Sequence, residues 1–535
     1  MYLNRHFIPL FTEMASIDKF DKPLTSRQAA HLLRRLNFGG TKANIARLTG
    51  KSAETIVASF LTDTPVPPLP TDAAGKTFQD ISWGAPGVDD AERNKNDSAR
   101  RAFVKNWWIA RMMTQKDNII EKMTLFWQNH FVSTATDISD ARFIYLQYQL
   151  LRKHALGNFR TFLIEITKDP AMLLYLDGNL NTVGKPNENY GRELQELFTI
   201  GQGNYDENDV KNAAKVLTGW RPTGFRSITS SAITVQFLSD QHDKTVKTFS
   251  SFYQNTSIQG RTGSGIPAGE AELADLIDMI LKQEKTALFM VRKFYRWFVQ
   301  SEISATVENE VIKPLAATFR KDYEIKPVLA QLFCSQHFYE DALIGSQIKS
   351  PLEFIIGTLL HFDQVVPDVV SDRTTFDLFT QYLAARAKEL QMEVFDQSTV
   401  FGWRPYYDTD FYELWINSTT LALRGSFTDA IVAGSTKMKI NINSLETAKK
   451  VSVPSDPVIL VNELTSTLFA FELPQNQRDY IIDEVLIPGL PRYEWTLEWN
   501  LYAADPNNTA KKNAVEMKID ELYLYLLRLA EYQMG

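Results

Sequence analysis

Between Pro186 and Gly203 the sequence places Glu188, Arg192, Glu193 and Glu196 on one short helix, bounded by Pro186 at its start and Gly201 and Gly203 at its stop. Helical spacing puts Tyr190, Leu194, Leu197 and Phe198 on one apolar stripe and Glu188, Arg192 and Glu196 on another, at i, i+4 and i+8. The structural reading of that second stripe, a solvated ladder contributing a few tenths of a kcal/mol per pair, is the favoured one. Glu193 lies at the edge of the apolar stripe, where loss of water would raise its pKa. It is the carboxylate with a claim to acid–base chemistry.

Two further groups could join it. His130 falls within the apolar arc of Ile119, Met123, Phe126 and Trp127. There the favoured reading is a neutral core histidine pinned by a carboxylate or a carbonyl, with base or metal ligand second. Asp240-Gln241-His242-Asp243-Lys244 reads as a hairpin tip, solvated unless it folds back over the Glu193 helix. If it does, His130, Glu193, Glu196, His242 and Asp243 make a mixed nitrogen and oxygen set of the kind that binds a divalent metal such as zinc, iron or manganese. Without metal, Glu193 and His130, with Arg192 beside them, form a general acid–base site. No H-E-x-x-H or H-x-x-E-H spacing fixes such ligands, and no G-x-S-x-G elbow offers a serine nucleophile. Cys334 is the single cysteine; its neighbours Leu332, Phe333 and Phe338 suggest a packed thiol, with His337 the nearest base. The loop Gly260-Arg-Thr-Gly-Ser-Gly-Ile-Pro lacks the Lys-Ser/Thr ending of a phosphate cradle and reads as a connector.

The elements that must position these groups are helical. A capping box at Thr25 and Gln28 opens a helix that runs to Gly39, and helical spacing is dense from about 99 to 220 and again from 270 to 362. The run Thr64-Pro-Val-Pro-Pro-Leu-Pro breaks regular structure and starts a long surface loop at 64–98. Alternation of Ile228, Ile233, Val235 and Phe237, followed by Val246 and Phe249, predicts a β-hairpin insertion near 228–250 turning at 240–244. Ile431, Val432, Met438, Ile440, Ile442, Val451, Val453 and Ile459 make 425–465 β-prone, ahead of a final helix at 510–533.

The expected fold is therefore mainly α, a large multi-helical core with these small β additions. At 535 residues the chain exceeds one ordinary core. It divides into an N-terminal extension (1–24), a helical core (25–425) and a C-terminal segment (426–535) with short strands and a final helix packed on the core. A net charge of -7 argues against nucleic acid as the main partner. An aromatic content of 12% suits a large helical core or a contact surface. The first residues, Met1 to Phe11, are too broken by Asn4, Arg5, His6 and Pro9 for a signal peptide, and no stretch of roughly 18 apolar residues is present. The expectation is a cytoplasmic protein, with export in the company of a signal-bearing partner as the alternative.

Successive phrases carry a family likeness. They include His31-Leu-Leu-Arg-Arg-Leu-Asn-Phe-Gly, Glu121-Lys-Met-Thr-Leu-Phe-Trp-Gln-Asn-His-Phe, Ala155-Leu-Gly-Asn-Phe-Arg and Asp169-Pro-Ala-Met-Leu-Leu-Tyr-Leu-Asp-Gly. Further on come Pro186 to Thr199, Leu217-Thr-Gly-Trp, Arg292-Lys-Phe-Tyr, Lys349-Ser-Pro-Leu-Glu-Phe, Phe401-Gly-Trp and Trp415-Ile-Asn. In order and spacing they resemble the bacterial domain-of-unknown-function 1800 (DUF1800) family from about 25 to 425. The resemblance implies a mostly helical unit and no stated activity. It also implies association with an exported protein of the alkaline-phosphatase or sulfatase-like superfamily, whose genes often lie beside those of the family. Two functions follow: an accessory or binding protein, ranked first, and a carboxylate/histidine hydrolase or oxidase, metal-assisted or acid–base.

Overall fold

A computed structural model describes residues 15–71, 77, 89–227, 232–408, 411–434, 440 and 442–535. Helix accounts for 60% of the chain and strand for 5%, so the fold is mainly α with small β additions. The helices that matter below are α1 (Ser26–Leu36), α2 (Asp90–Thr114), α3 (Ile120–His130), α4 (Ala141–Lys153), α5 (Glu188–Glu196) and α6 (Glu207–Val216). Further along are α7 (Ile266–Leu281), α8 (Glu284–Phe298), α9 (Pro351–His361), α10 (Ser418–Val432), α11 (Pro457–Leu468), α12 (Tyr493–Ala504) and α13 (Thr509–Arg528).

Local chemistry sets these boundaries. Thr25 and Gln28 form the capping box expected at α1, and Ser350 and Glu353 form another at α9, where Pro351 takes the first turn. α2 begins well before the anticipated start at 99, because Asp89 caps it by accepting the Glu92 N–H. The 64–98 loop is shorter by that much. At its start, Arg152 of α4 holds the carbonyls of Thr64 and Pro65 at 2.8 and 2.9 Å; residues 72–76 and 78–88 lie outside the described residues. The helix that ends at His130 is fixed by a buried carboxylate, Glu121. It accepts from Trp108 Nε1 at 2.9 Å, from the Tyr148 hydroxyl at 3.2 Å and from Arg152 Nε at 3.1 Å, tying α2, α3 and α4 together.

The β content is arranged differently from the alternation in the sequence. β1 (Trp220–Thr223) pairs antiparallel with β2 (Thr234–Phe237), Trp220 opposite Phe237, and β3 (Lys247–Thr248) pairs with β4 (Ser257–Ile258). The strand of Val235 and Phe237 thus joins the chain before it rather than 246–249, and within 240–244 His242 and Asp243 are buried while Asp240 and Lys244 are exposed. Gly219, at φ +91°, makes the turn into β1, and a side chain there would meet the Leu238 carbonyl at 2.8 Å. Ile228 lies outside the described residues.

The β-prone stretch at 425–465 is mostly helix. α10 covers its start, Ser444–Ala448 forms a short helix and α11 follows. Asn417, Asn443 and Asp456 each cap one of these helices and Pro457 opens the last, so local caps and burial override the β preference of the branched residues. Met438 lies outside the described residues. A continuous apolar core runs from Ala15 to Tyr532. The described part of the N-terminal extension is stitched to the centre by Phe20 N–H to the Cys334 carbonyl at 2.7 Å, and the C-terminal segment by Lys349 N–H to the Gln533 carbonyl at 2.8 Å. Among the described residues no helix is long and apolar enough to cross a membrane.

Candidate functional site

α5 lies tightly on α6. The approach depends on Gly191, where a Cβ would stand 2.9 Å from the Ala214 nitrogen and 3.0 Å from the Val210 carbonyl oxygen. Closeness redirects the charges. Arg192 forks onto Glu207 of α6 at 3.0 and 2.7 Å rather than onto Glu188 or Glu196, so the expected ladder along α5 is replaced by a bridge between helices. Glu196 instead accepts from the Tyr205 hydroxyl and from Gln202 Nε2 at 2.5 Å. Glu193 is half-buried, and burial, with the Glu196 carboxylate near it, pushes its carboxyl up to about 7.

His130 closes α3 with 3% of its surface exposed, beside Trp127 and Phe131. Its Nε2–H donates to the Phe198 carbonyl at 3.2 Å, which leaves Nδ1 to accept from Lys293 Nζ of α8 at 3.0 Å. This is the carbonyl-pinned core histidine. Burial and the Lys293 ammonium hold the ring well below the usual histidine range, so it is neutral. Burial, then Arg296, pushes the Lys293 amine down to about 7. The link from His130 to α5 runs through backbone, Phe198 N–H to the Glu193 carbonyl at 3.1 Å, and does not use the Glu193 carboxylate.

His242 and Asp243 belong to another network. His242 Nε2 bonds Glu272 Oε2 of α7 at 3.0 Å while Nδ1 faces the Thr218 carbonyl at 3.0 Å. Glu272 also accepts from Lys247 Nζ at 2.5 Å and from the Arg261 N–H at 2.8 Å, and the His242, Lys247 and Glu272 side chains are wholly buried. The glycine-rich loop is therefore anchored at Arg261. Asp243 accepts from the Thr245 N–H at 2.8 Å and the Thr245 hydroxyl at 2.5 Å.

The expected metal set of His130, Glu193, Glu196, His242 and Asp243 is divided between two places in the fold. His130, Glu193 and Glu196 lie around the end of α5, while His242 and Asp243 share Thr218 as a partner, and among the described residues no group of three or more His, Cys, Asp or Glu side chains is placed to hold a metal ion. Of the acid–base trio, Arg192 is committed to Glu207, while His130 and Glu193 approach one another only through the end of α5. Cys334 is packed: burial pushes its thiol up to about 11, and His337 bonds the Tyr295 hydroxyl at 2.9 Å and Glu340 at 3.0 Å.

The helices holding these groups fall within one long match: a family model described as protein of unknown function (DUF1800) covers residues 31–533 of the 535. The chain belongs to the DUF1800 family. No curated protein and no solved structure matches it. The family match takes in the C-terminal segment, which the diagnostic phrases up to about 425 did not reach. In this DUF1800 chain the phrases Glu121 to Phe131, Pro186 to Thr199 and Arg292 to Tyr295 meet at His130, Phe198 and Lys293.

Sequence reasoning passed over Lys293, Glu207, Lys247 and Glu272. Lys293 stood inside a diagnostic phrase, and Glu272 lies beside Leu273 on the apolar face of α7, so a charged residue on an apolar face was the available signal.

Proposed function

We propose that the protein is an accessory binding protein, acting with an exported partner of the alkaline-phosphatase or sulfatase-like superfamily that the family resemblance implies. The outward face of α12 carries this reading. Trp495, Trp499 and Tyr502 anchor the helix, at 0%, 6% and 3% exposure, yet Tyr493, Leu497 and Leu501, spaced i, i+4 and i+8, remain 66%, 50% and 48% exposed. Leu490, just before the helix, is 46% exposed. A helix with apolar residues on both faces suits a surface that is covered in an assembly. Arg492, bonded to Asp479 and Asp483, fixes the start of that helix and hence the stripe. The partner reading also agrees with the engagement of Arg192, His242 and Asp243 in bonds that hold the fold.

The test is quantitative capture of that partner by the parent protein and by the Leu497→Glu, Leu501→Glu double variant. Capture is expected to weaken at least about tenfold with the melting temperature retained. Undiminished capture by the folded variant contradicts the reading.

An acid–base enzyme is the second reading, favoured by one observation: the Lys293 amine, pushed down to about 7, stands 3.0 Å from His130 Nδ1. It requires that Lys293→Met abolish turnover of an ester or carbonyl substrate without unfolding the chain.

A further inference from the structure

The segment leaving α1 passes α9 at glycines: a Cβ on Gly357 would meet the Phe38 carbonyl oxygen at 2.8 Å. Beside that crossing opens a cleft of about 640 Å³, including the solvent at its mouth, whose walls carry Arg34, Arg35, Lys349, Glu353, His361 and Tyr532. The wall has one carboxylate side chain, Glu353, and Gly535 also lines it, its N–H donating to the Gln347 carbonyl at 2.8 Å. Glu353 is already engaged, ion-paired with the buried Lys122 and accepting the Ser350 N–H at 2.7 Å.

The other cations donate their hydrogen bonds, among the described residues, to neutral groups. Arg34 Nη2 donates to the carbonyls of Thr467 and Phe469 at 3.1 and 2.9 Å. Arg35 donates to Gln347 Oε1 at 2.8 Å and more weakly to the Leu343 carbonyl and Ser346 hydroxyl, both at 3.4 Å. Lys349 Nζ donates to the Tyr532 carbonyl at 2.7 Å and lies 3.9 Å from the centre of the Tyr532 ring. Behind it Arg424, wholly buried, donates to the Lys349 carbonyl at 2.7 Å and to Gln533 Oε1 at 3.2 Å. Arg35 Nε and Arg424 Nε, on side chains that are 5% and 0% exposed, have no hydrogen-bond partner among the described residues.

Cations that outnumber the carboxylate side chains beside them are costly to keep from water, and an anion entering the cleft would relieve that cost. The strain is visible in their acidity. Burial, then Arg34 and Arg424, holds the Lys349 amine well below its usual range, and burial brings Arg34 and Arg35 down to about 10. Burial pushes His361 down to about 3, so it is a neutral neighbour. Two guanidinium forks, and an amine that an entering anion would hold protonated, suit a tetrahedral dianion better than a single carboxylate, which offers less negative charge. Leu33, Ile45 and Leu468 supply apolar wall, and a second cleft of about 530 Å³, open solvent included, shares His361 and Thr467 with the first.

We infer that this cleft binds the phosphate monoester of a small organic molecule, the dianion between Arg34, Arg35 and Lys349 and the organic part against the apolar wall. Calorimetric titration of the full chain with phenyl phosphate, inorganic phosphate, phenyl sulfate and benzoate tests it. Phenyl phosphate is expected to bind saturably and tightest, with inorganic phosphate next. Arg34→Met and Lys349→Met are each expected to weaken it by about tenfold or more. Lys349→Met removes an amine whose charged form burial and the neighbouring arginines already disfavour, so it is expected to melt no lower than the parent; should it fail to fold, Arg34→Met decides. The inference is overturned by an absence of saturable binding, by undiminished binding in a folded variant, by benzoate or phenyl sulfate binding as tightly as phenyl phosphate, or by no gain from the phenyl ring over inorganic phosphate.

Discussion

Single residues here answer to their immediate surroundings, and Glu193 is the clearest case. Read from the sequence it is either a catalytic carboxylate or a buried brace. In the fold it has Glu196 as a neighbour, and Arg192 is turned away onto Glu207. Its carboxyl, raised to about 7 in the folded chain, has an unfolded value near about 4.3. Between these values the folded state holds the extra proton, so the contribution to stability is full below about pH 4 and is lost as pH rises through about 7. Glu193→Gln should therefore melt higher than the parent at about pH 8 and level with it near about pH 4. A loss of stability at the higher pH would restore the brace. Lys293 works in the opposite sense. Its folded value of about 7 lies below the unfolded value of about 10.4, so stability rises with pH across that window, and Lys293→Met should flatten the slope in denaturant titrations. Glu272 is the residue with most to lose. Glu272→Gln leaves Lys247 and His242 buried without their carboxylate, and the expected cost by equilibrium unfolding is about 3–5 kcal/mol. A cost under about 1 kcal/mol would contradict the network.

Elements were legible where helical period and caps agreed. The α1 capping box, the long run of core helices and the helix at Glu193 are all written in local residues. What was not legible was pairing across distance. Arg192 has Glu188 and Glu196 at helical spacing and chooses neither, because Gly191 brings α6 within reach, and no local pattern announces that Glu207 will face it. The same holds for His242, whose partner Glu272 comes from α7 after a connector that looked free. Alternation at 233–237 correctly indicated a strand, but its partner precedes it. Branched residues at 425–465 were outweighed by three caps. The α5–α6 contact can be tested at its narrowest point. Gly191→Ala gains up to about 1 kcal/mol of helix propensity, yet its Cβ meets backbone that cannot yield locally. The net expectation is a loss of about 1–3 kcal/mol in urea unfolding. A stabilised variant would mean the helices separate freely.

At the scale of the whole molecule, the extension, the core and the C-terminal segment are joined by apolar packing and backbone bonds. The apolar core is continuous from Ala15 to Tyr532, and α1, α9, α11 and the final residues share one cationic cleft. That cleft drew on two phrases legible in sequence, His31 to Gly39 and Lys349 to Phe354, whose convergence depends on the glycine crossing at Gly39 and Gly357. The family match from 31 to 533 agrees with one unit, and calorimetry of the full chain should show a single unfolding transition; two separated transitions would contradict it. The outer face of α12 exposes Tyr493, Leu497 and Leu501 along one stripe. The measurement that tests the binding account most directly is hydrogen exchange across the full chain with and without the alkaline-phosphatase or sulfatase-like partner. The account predicts slowed exchange along Tyr493–Ala504 when the partner is present, abolished in the Leu497→Glu, Leu501→Glu variant. Unchanged exchange there, at partner concentrations that protect some other surface or none, would contradict it.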